Sequence, residues 1–262
     1  MQIIDWERFI AGEVREKRLS LTVGVFDGVH LGHQALIHEI CNGTAIPTVI
    51  TFKKYPVYGY IPRHFPGNIY SNDRKLELFK DLGVKLTILI DFSRKFSKIK
   101  GRDFINLLLQ NCHLEQFVIG QDFRCGYKLD TGINEIIDFA CKTVKINIVQ
   151  PILENGTAVS SSRIRNTILS GNFSQAAKLL GRNPEIDLGS LPKKTVLSKN
   201  GKVLVYDGKR GKRLLPADGI YNVYSGNNKI DISIKNGKII IPAGLPGGEN
   251  NPVRFEFVIN KP

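Results

Sequence analysis

Gly24-Val25-Phe26-Asp27-Gly28-Val29-His30-Leu31-Gly32-His33 follows directly on the β-rich run Leu21-Thr22-Val23. Three glycines and two histidines therefore stand where a strand gives way to a helix. Glycine lets the backbone come close to an anion, a helix start offers uncommitted N–H groups, and imidazoles add hydrogen bonds or charge. The HxGH tetrad alone is short and fits an ordinary turn equally well. Its surroundings decide the reading. An apolar strand precedes it, and Ala35, Leu36, Ile37 and Ile40 in the stretch Gln34 to Ile40 are spaced for one buried helix face. Strand, glycine-rich turn and helix come in the order that a phosphate site requires.

Outward from this loop, apolar runs alternate with helix-like stretches. Ile46 to Phe52, Leu86 to Ile90, Phe117 to Ile119 and Val144 to Val149 read as buried strands. Asp73 to Leu82, Gly101 to Asn111 and Ile133 to Ala140 carry helical periodicity. The alternation predicts an α/β domain with a mainly parallel sheet, helices on both faces, and ligands bound beyond the carboxyl ends of the strands. After Pro184 the texture changes. Lys202 to Tyr206, Gly219 to Tyr224, Lys229 to Ile234, Lys238 to Ile241 and Val253 to Ile259 read as short strands joined by Asn-Gly, Asp-Gly and Gly-Gly turns. The expected organisation is an α/β domain over residues 1–185 and a small antiparallel β module over 186–262.

With 262 residues, 42% hydrophobic and 23% charged, the composition is that of a soluble globular protein. The start of the chain lacks a basic region followed by a long apolar run, and no stretch reaches membrane-spanning length, so a cytoplasmic location and no membrane partner are expected. Cys41, Cys112, Cys125 and Cys141 are scattered, without a CxxC pair, and read as reduced, mostly buried thiols. The net charge of +13 is unevenly spread: residues 1–186 hold 24 Lys+Arg against 18 Asp+Glu, and 187–262 hold 13 against 6. Such a field suits nucleotides as well as RNA. No nucleic-acid module or aromatic interleaving accompanies the clusters Lys193-Lys194 and Lys209-Arg210, Lys212-Arg213, which read as solvent-facing. RNA is kept only as a minor alternative.

Two further segments carry chemistry. Val159-Ser160-Ser161-Ser162-Arg163-Ile164-Arg165 leads into a helix through Ile168 and Leu169; hydroxyls and guanidinium groups there suit a polyphosphate, although serine is also a common N-cap and an arginine one turn on is often merely solvated. Gly120-Gln121-Asp122-Phe123-Arg124-Cys125-Gly126 follows a strand and reaches the same sheet edge. With Thr51, Phe52 and Pro56 it suggests an aromatic and polar wall for a planar ligand.

Taken together, these segments resemble the prokaryotic bifunctional riboflavin kinase/FAD synthetase family, specifically its FMN adenylyltransferase domain. The resemblance rests on VGVFDGVHLGH (23–33), Thr51-Phe52 with Pro56, GQDFRCG (120–126), VSSSRIR (159–165) and AAKLLGR (176–182), in the family's order and spacing over roughly residues 18–184. It implies a Rossmann-like nucleotidyltransferase that joins FMN to the AMP part of ATP with Mg²⁺, giving FAD and pyrophosphate. By the same resemblance His30, His33 and Arg165 are the catalytic residues, stabilising charge at the α-phosphorus. Gly24, Phe26, Asp27 and Gly28 shape the ATP pocket, Ser161 and Ser162 join Arg165 on the β- and γ-phosphates, and Phe52, Pro56, Asp122 and Phe123 lie on the flavin side. No protein metal ligand is implied, the triphosphate supplying most ligands to the ion.

Departures from the family pattern fall mainly on the flavin side. Lys54-Tyr55-Pro56 stands where Pro-His-Pro is usual, Cys125 replaces a Phe, and Ser162 replaces a Thr; ring stacking must then come from Tyr55 or Phe123. The C-terminal module resembles a reduced riboflavin kinase barrel. Between Gly211 and Leu215 it has no counterpart of the family's Gly-Phe-Pro-Thr-Ala-Asn segment, and neither a closing helix nor a clear catalytic Glu is found. Riboflavin phosphorylation is therefore expected to be lost, leaving the module to cover the site, self-associate or bind a partner. The alternatives are a nucleotidyltransferase with another acceptor, since the HxGH loop reports the reaction more firmly than the acceptor, and a non-catalytic flavin or nucleotide sensor.

Overall fold

A computed structural model describes residues 1–54, 65–140, 143–189, 191–198, 201–242 and 254–259. The chain forms two compact units, one of residues 1–63 with 76–153, the other of residues 64–75 with 154–262. The cut by compactness thus differs from the 1–185/186–262 division read from the change of texture after Pro184, and the second unit is discontinuous in sequence.

The first unit opens with β1 (Gln2–Asp5) and α1 (Trp6–Ile10), two short elements that the sequence reading passes over. Next come β2 (Arg18–Val23), α2 (Leu31–Cys41), β3 (Ile46–Phe52), α3 (Asn72–Asp81, of which residues 76–81 belong to this unit), β4 (Leu86–Ile90), α4 (Gly101–Asn111), β5 (His113–Gly120), α5 (Ile133–Ala140) and β6 (Lys145–Val149). The expected elements from residue 46 to 149 recur within a few residues of their predicted ends. The six strands lie in the order β1-β4-β3-β2-β5-β6, and every pairing is parallel.

Alternating side chains give each strand two buried faces. Leu19, Leu21 and Val23 of β2 point into a core with Trp6 and Phe9 of α1, Phe104, Ile105 and Leu108 of α4, and Ile136 of α5. The opposite face is covered by α2, which packs across β2, β3 and β5, and Asn147 Nδ2 of β6 donates to Glu39 Oε1 of α2 at 2.6 Å. The chain runs from β2 outward to β3 and β4, then resumes on the other side of β2 with β5. This reversal makes the crevice between the carboxyl ends of β2 and β5 the topological switch point, where doubly wound sheets bind ligands. The 24–33 loop leaves β2 there.

A two-stranded ribbon, β7 (Leu153–Glu154) and β8 (Thr157–Ala158), precedes α6 (Ser161–Leu169) and α7 (Phe173–Leu180). The rest of the second unit is β9 (Glu185–Asp187), β10 (Lys193–Ser198), β11 (Gly201–Asp207), β12 (Gly219–Ser225), β13 (Asn228–Lys235), β14 (Lys238–Pro242) and β15 (Arg254–Phe257). These form one antiparallel sheet in the order β10-β11-β14-β13-β12-β15-β9. Its apolar side gathers Ile186, Leu188, Val223, Ile232, Ile234, Ile239, Phe255 and Phe257 into a separate core. Phe173 of α7 stacks on Phe257 with centroids 3.9 Å apart and planes 10° from parallel, so α7 and the sheet share that core.

Two details correct the sequence reading. Of the three cysteines described, only Cys112 is buried, whereas Cys41 and Cys125 are half-buried; all three are free thiols, and Cys141 lies outside the described residues. Arg213 does not face solvent with its neighbours but is 5% exposed. Its guanidinium stands 3.7 Å from the Asp187 carboxylate. Among the described residues no helix is long and apolar enough to cross a membrane.

Candidate active site

At the end of β2 the chain is pinned before it turns. Gly24 N–H donates to Ile50 O at 3.1 Å and Thr51 Oγ1 donates to Val25 O at 3.1 Å. Thr51, read from the sequence as part of a ligand wall, is fully buried and anchors the loop instead. Three residues in the next four take left-handed backbone conformations: Phe26 (φ 54°), Gly28 (φ 83°) and Val29 (φ 41°). Glycine accepts this at little cost, but a residue with a Cβ pays about 1–2 kcal/mol. Strain of this kind persists only where the surroundings over-determine it, and it clusters at functional sites. Here Phe26 is held by packing: its ring meets Phe79 edge-on at 5.4 Å and His33 at 5.0 Å. Gln34 Nε2 closes the turn by donating to Val29 O at 2.9 Å, a role that the sequence motif gave no signal for.

The strained turn delivers His30 to the N-cap of α2, where its Nδ1 accepts from His33 N–H at 3.4 Å. With Nδ1 acting as acceptor, the proton of the neutral ring resides on Nε2. The His30 and His33 rings stack with centroids 3.6 Å apart and planes 20° from parallel. His30 is 6% exposed and the adjacent Asp27 is 7% exposed, while Gly24 is half-buried and Gly28 buried. His30 and His33 thus sit at the start of an eleven-residue helix, whose dipole adds to the attraction for an anion.

The segment after β5 builds another part of the same sheet edge. Phe123 N–H donates to Gly120 O at 3.0 Å, and the Phe123 ring turns inward, edge-on to Phe117 at 6.0 Å. Asp122 is exposed. Cys125 exchanges main-chain hydrogen bonds with Thr131 at 2.9 and 3.1 Å, and Asp130 Oδ1 accepts from Gly101 N–H at 2.9 Å. This clamps the loop on the start of α4. Burial pushes the Cys125 thiol up to about 12, the Asp130 carboxylate adding to the rise, so the thiol is neutral. Phe52 lies half-buried and edge-on to Phe92 at 5.4 Å. Pro56 and Tyr55 lie outside the described residues.

The serine and arginine motif belongs to the second unit. Ser160 is the N-cap of α6, its Oγ accepting from Arg163 N–H at 3.3 Å, so this serine has the ordinary capping role. Ser161 is half-buried and Ser162 exposed on the first turn. Arg163 is committed to structure, donating to Thr157 O at 2.8 Å and Glu154 O at 3.0 Å. Arg165 is not a solvated surface arginine: it is 6% exposed, donates through Nε to Gly67 O at 3.2 Å, and lies 5.0 Å over the Phe65 ring. Gly67 and Phe65 carry no motif that sequence inspection could have singled out.

The proposed residues therefore fall into two groups. His30, His33, Gly24, Phe26, Asp27 and Gly28 share one turn of the first unit, with Phe52, Asp122 and Phe123 on strand ends or loops of that unit. Ser161, Ser162 and Arg165 share one helix of the second. Among the described residues no group of three His, Cys, Asp or Glu side chains is placed to hold a metal ion.

Comparison with known proteins adds the following. Residues 13–163 match the FAD synthetase family. An FAD synthetase of Listeria monocytogenes is 29% identical over 232 residues, covering 83% of this chain and 88% of that protein. A bifunctional riboflavin kinase/FMN adenylyltransferase of Buchnera aphidicola is 30% identical over 169 residues, covering 62% of this chain and 54% of that protein, and its Escherichia coli K12 counterpart is 29% identical over 168 residues, with 62% and 53% covered. The match thus spans about half the length of these bifunctional relatives. A crystal structure described as a macrolide-efflux protein from Streptococcus pneumoniae superposes with a TM-score of 0.74 at 21% identity, over 98% of this chain and 90% of that one, a likeness of fold. Since the matched region spans more than half the chain and holds the histidine loop, this protein belongs to the FAD synthetase family.

Proposed function

We propose that the chain is an FMN adenylyltransferase, transferring AMP from ATP to FMN with release of pyrophosphate, and that it does not phosphorylate riboflavin. The observation that carries this reading is the stacked His30–His33 pair on a strained loop at the switch point of a parallel sheet. A protein that only bound nucleotide would have little use for two imidazoles aimed at one anion site; they are worth their strain where negative charge grows in a transition state.

In this scheme the phosphate of FMN is already an anionic nucleophile and attacks the α-phosphorus in line, without a covalent enzyme intermediate or a general base. One phosphate oxygen of FMN forms the new P–O bond while the bond to the β-phosphate oxygen breaks, and pyrophosphate leaves. His30 donates from Nε2–H, His33 assists, and Arg165 with Ser161 and Ser162 offsets charge on the β- and γ-phosphates. Gly24, Phe26, Asp27 and Gly28 shape the ATP side. Phe52, Pro56, Asp122 and Phe123 serve the flavin side. Magnesium enters with the triphosphate, whose oxygens supply most of its ligands.

Residues 1–185 would carry this activity and 186–262 the degenerate kinase-like module, in the cytoplasm, where ATP and FMN are at hand. Lack of the Gly-Phe-Pro-Thr-Ala-Asn segment between Gly211 and Leu215 supports loss of the kinase. So does the extent of similarity to a relative that is named FAD synthetase alone. The test is chromatographic: purified protein with Mg-ATP and either FMN or riboflavin, scoring FAD, FMN and pyrophosphate. FAD and pyrophosphate from FMN, with no product from riboflavin, is the expected result. ATP binding without FAD formation would overturn it and favour another acceptor or a sensor.

A further inference from the structure

The segment before α3 is gripped by chain that lies far away in sequence. Asn68 N–H donates to Lys212 O and Leu214 N–H donates to Asn68 O, both at 2.8 Å, which makes a parallel bridge between Asn68 and Arg213. The backbones are in direct contact: a Cβ on Gly67 would stand 2.6 Å from the carbonyl carbon of Arg213 and 2.7 Å from Leu214 N, and Gly67 has φ +124°. A few residues on, Ser71 Oγ donates to the Asp187 carboxylate and accepts from Arg74 N–H at 3.0 Å, capping α3. Arg74 pairs with Glu185, and Arg213 closes the set on Asp187 at 3.7 Å. Residues 67–74 are thus fixed at one end by the 212–214 segment and at the other by β9.

Arg165 is oriented by this fixed segment, through the Gly67 carbonyl and the Phe65 ring. We propose that Gly67 is a positioning residue for Arg165, and that the Lys212–Leu214 segment of the kinase-like module is kept as the brace that holds Gly67 in place. The module then serves adenylyl transfer as an internal scaffold. Its basic turn, read from the sequence as a solvated cluster, sends Arg213 inward for this purpose. The proposal rests on the reading that Arg165 serves the triphosphate.

The test is steady-state FAD synthesis by the full-length chain as Gly67→Ala, Arg165→Ala and the double variant, with KM measured separately for ATP and FMN. Gly67→Ala is expected to raise KM for ATP roughly tenfold and lower kcat, with KM for FMN within about twofold; the double variant should be no worse than Arg165→Ala alone, as for residues acting through one contact. If Arg165→Ala leaves the ATP parameters unchanged, the reading of Arg165 fails. If Arg165→Ala is impaired while Gly67→Ala is not, or if the two losses multiply, the positioning role is overturned. Circular dichroism and a thermal melt check folding. Should Gly67→Ala not fold, Arg213→Met, which leaves the backbone free of a new Cβ, must show the same ATP-selective defect, with Arg213→Lys closer to wild type; equal defects for ATP and FMN would overturn the proposal.

Discussion

His30 has two jobs that different substitutions can separate. Its Nδ1 caps α2, and the proposed scheme has its Nε2–H donate to the ATP phosphates. Asparagine caps helices well, so His30→Asn should keep stability while His30→Ala loses about 1 kcal/mol, which for a chain of this size lowers Tm by roughly 2–4 °C. Both should lower kcat about 10²- to 10³-fold, the usual cost of one transition-state donor, with KM for FMN little changed. Normal turnover by either variant would refute the assignment. Cys112 offers a pH signature. Burial pushes its thiol up to about 12 from an ordinary 9.0, and Sγ donates to Leu108 O at 3.3 Å. Unfolded thiol ionises near pH 9 while the folded thiol stays neutral, so its contribution is intact below pH 9 and is lost as pH rises toward 12. A plot of Tm against pH should fall less steeply above pH 9 for Cys112→Ala than for the wild type.

Among the elements, α6 depends on a single hydroxyl at its start. Ser160→Ala removes the cap on Arg163 N–H and should cost about 1 kcal/mol, seen as a lower Tm, and should raise KM for ATP through the helix that bears Ser161, Ser162 and Arg165. Ser162→Ala, whose side chain is exposed, should leave Tm unchanged, and the pair separates folding from binding. Element type was legible wherever burial imposed a period. β3 and β4, buried on both faces, have the very ends that their apolar runs predicted, as does α4. β1 and α1, with four and five residues, are too short to display a period, and β9 adds only three. The loop motifs named His30 and Arg165 because their chemistry is compressed into a few residues. Gly67 was invisible because its importance comes from Arg213, 146 positions later, and distance along the chain leaves no local trace.

For the whole molecule, the decisive fact is that the second compact unit starts at residue 64 and ends in the C-terminal sheet. A chain cut after residue 185 would keep every residue of the family motifs yet lose Asp187, Arg213 and the sheet on which Phe173 stacks. Such a truncation should lose FAD synthesis and expose apolar surface, measured as dye binding and aggregation during purification; a truncated protein as active as the full chain would contradict this. The basic excess of the tail then has a partly internal explanation, since Arg213 serves a buried carboxylate. Under the proposed loss of riboflavin kinase activity, the same dependence would account for the retention of residues 186–262.

Discontinuity also sets an order of events on the ribosome. Strands β2 to β6 can pair as soon as residue 149 has emerged, but residues 67–74 must wait, with their partners unsynthesised, until residues 185–187 and 212–214 appear. At about 5–20 residues per second that wait lasts roughly 10–30 s. For the last part of it, roughly 3–13 s between the emergence of residue 149 and that of residue 214, a nascent chain would carry the paired parallel sheet with the Arg74 helix start still undocked.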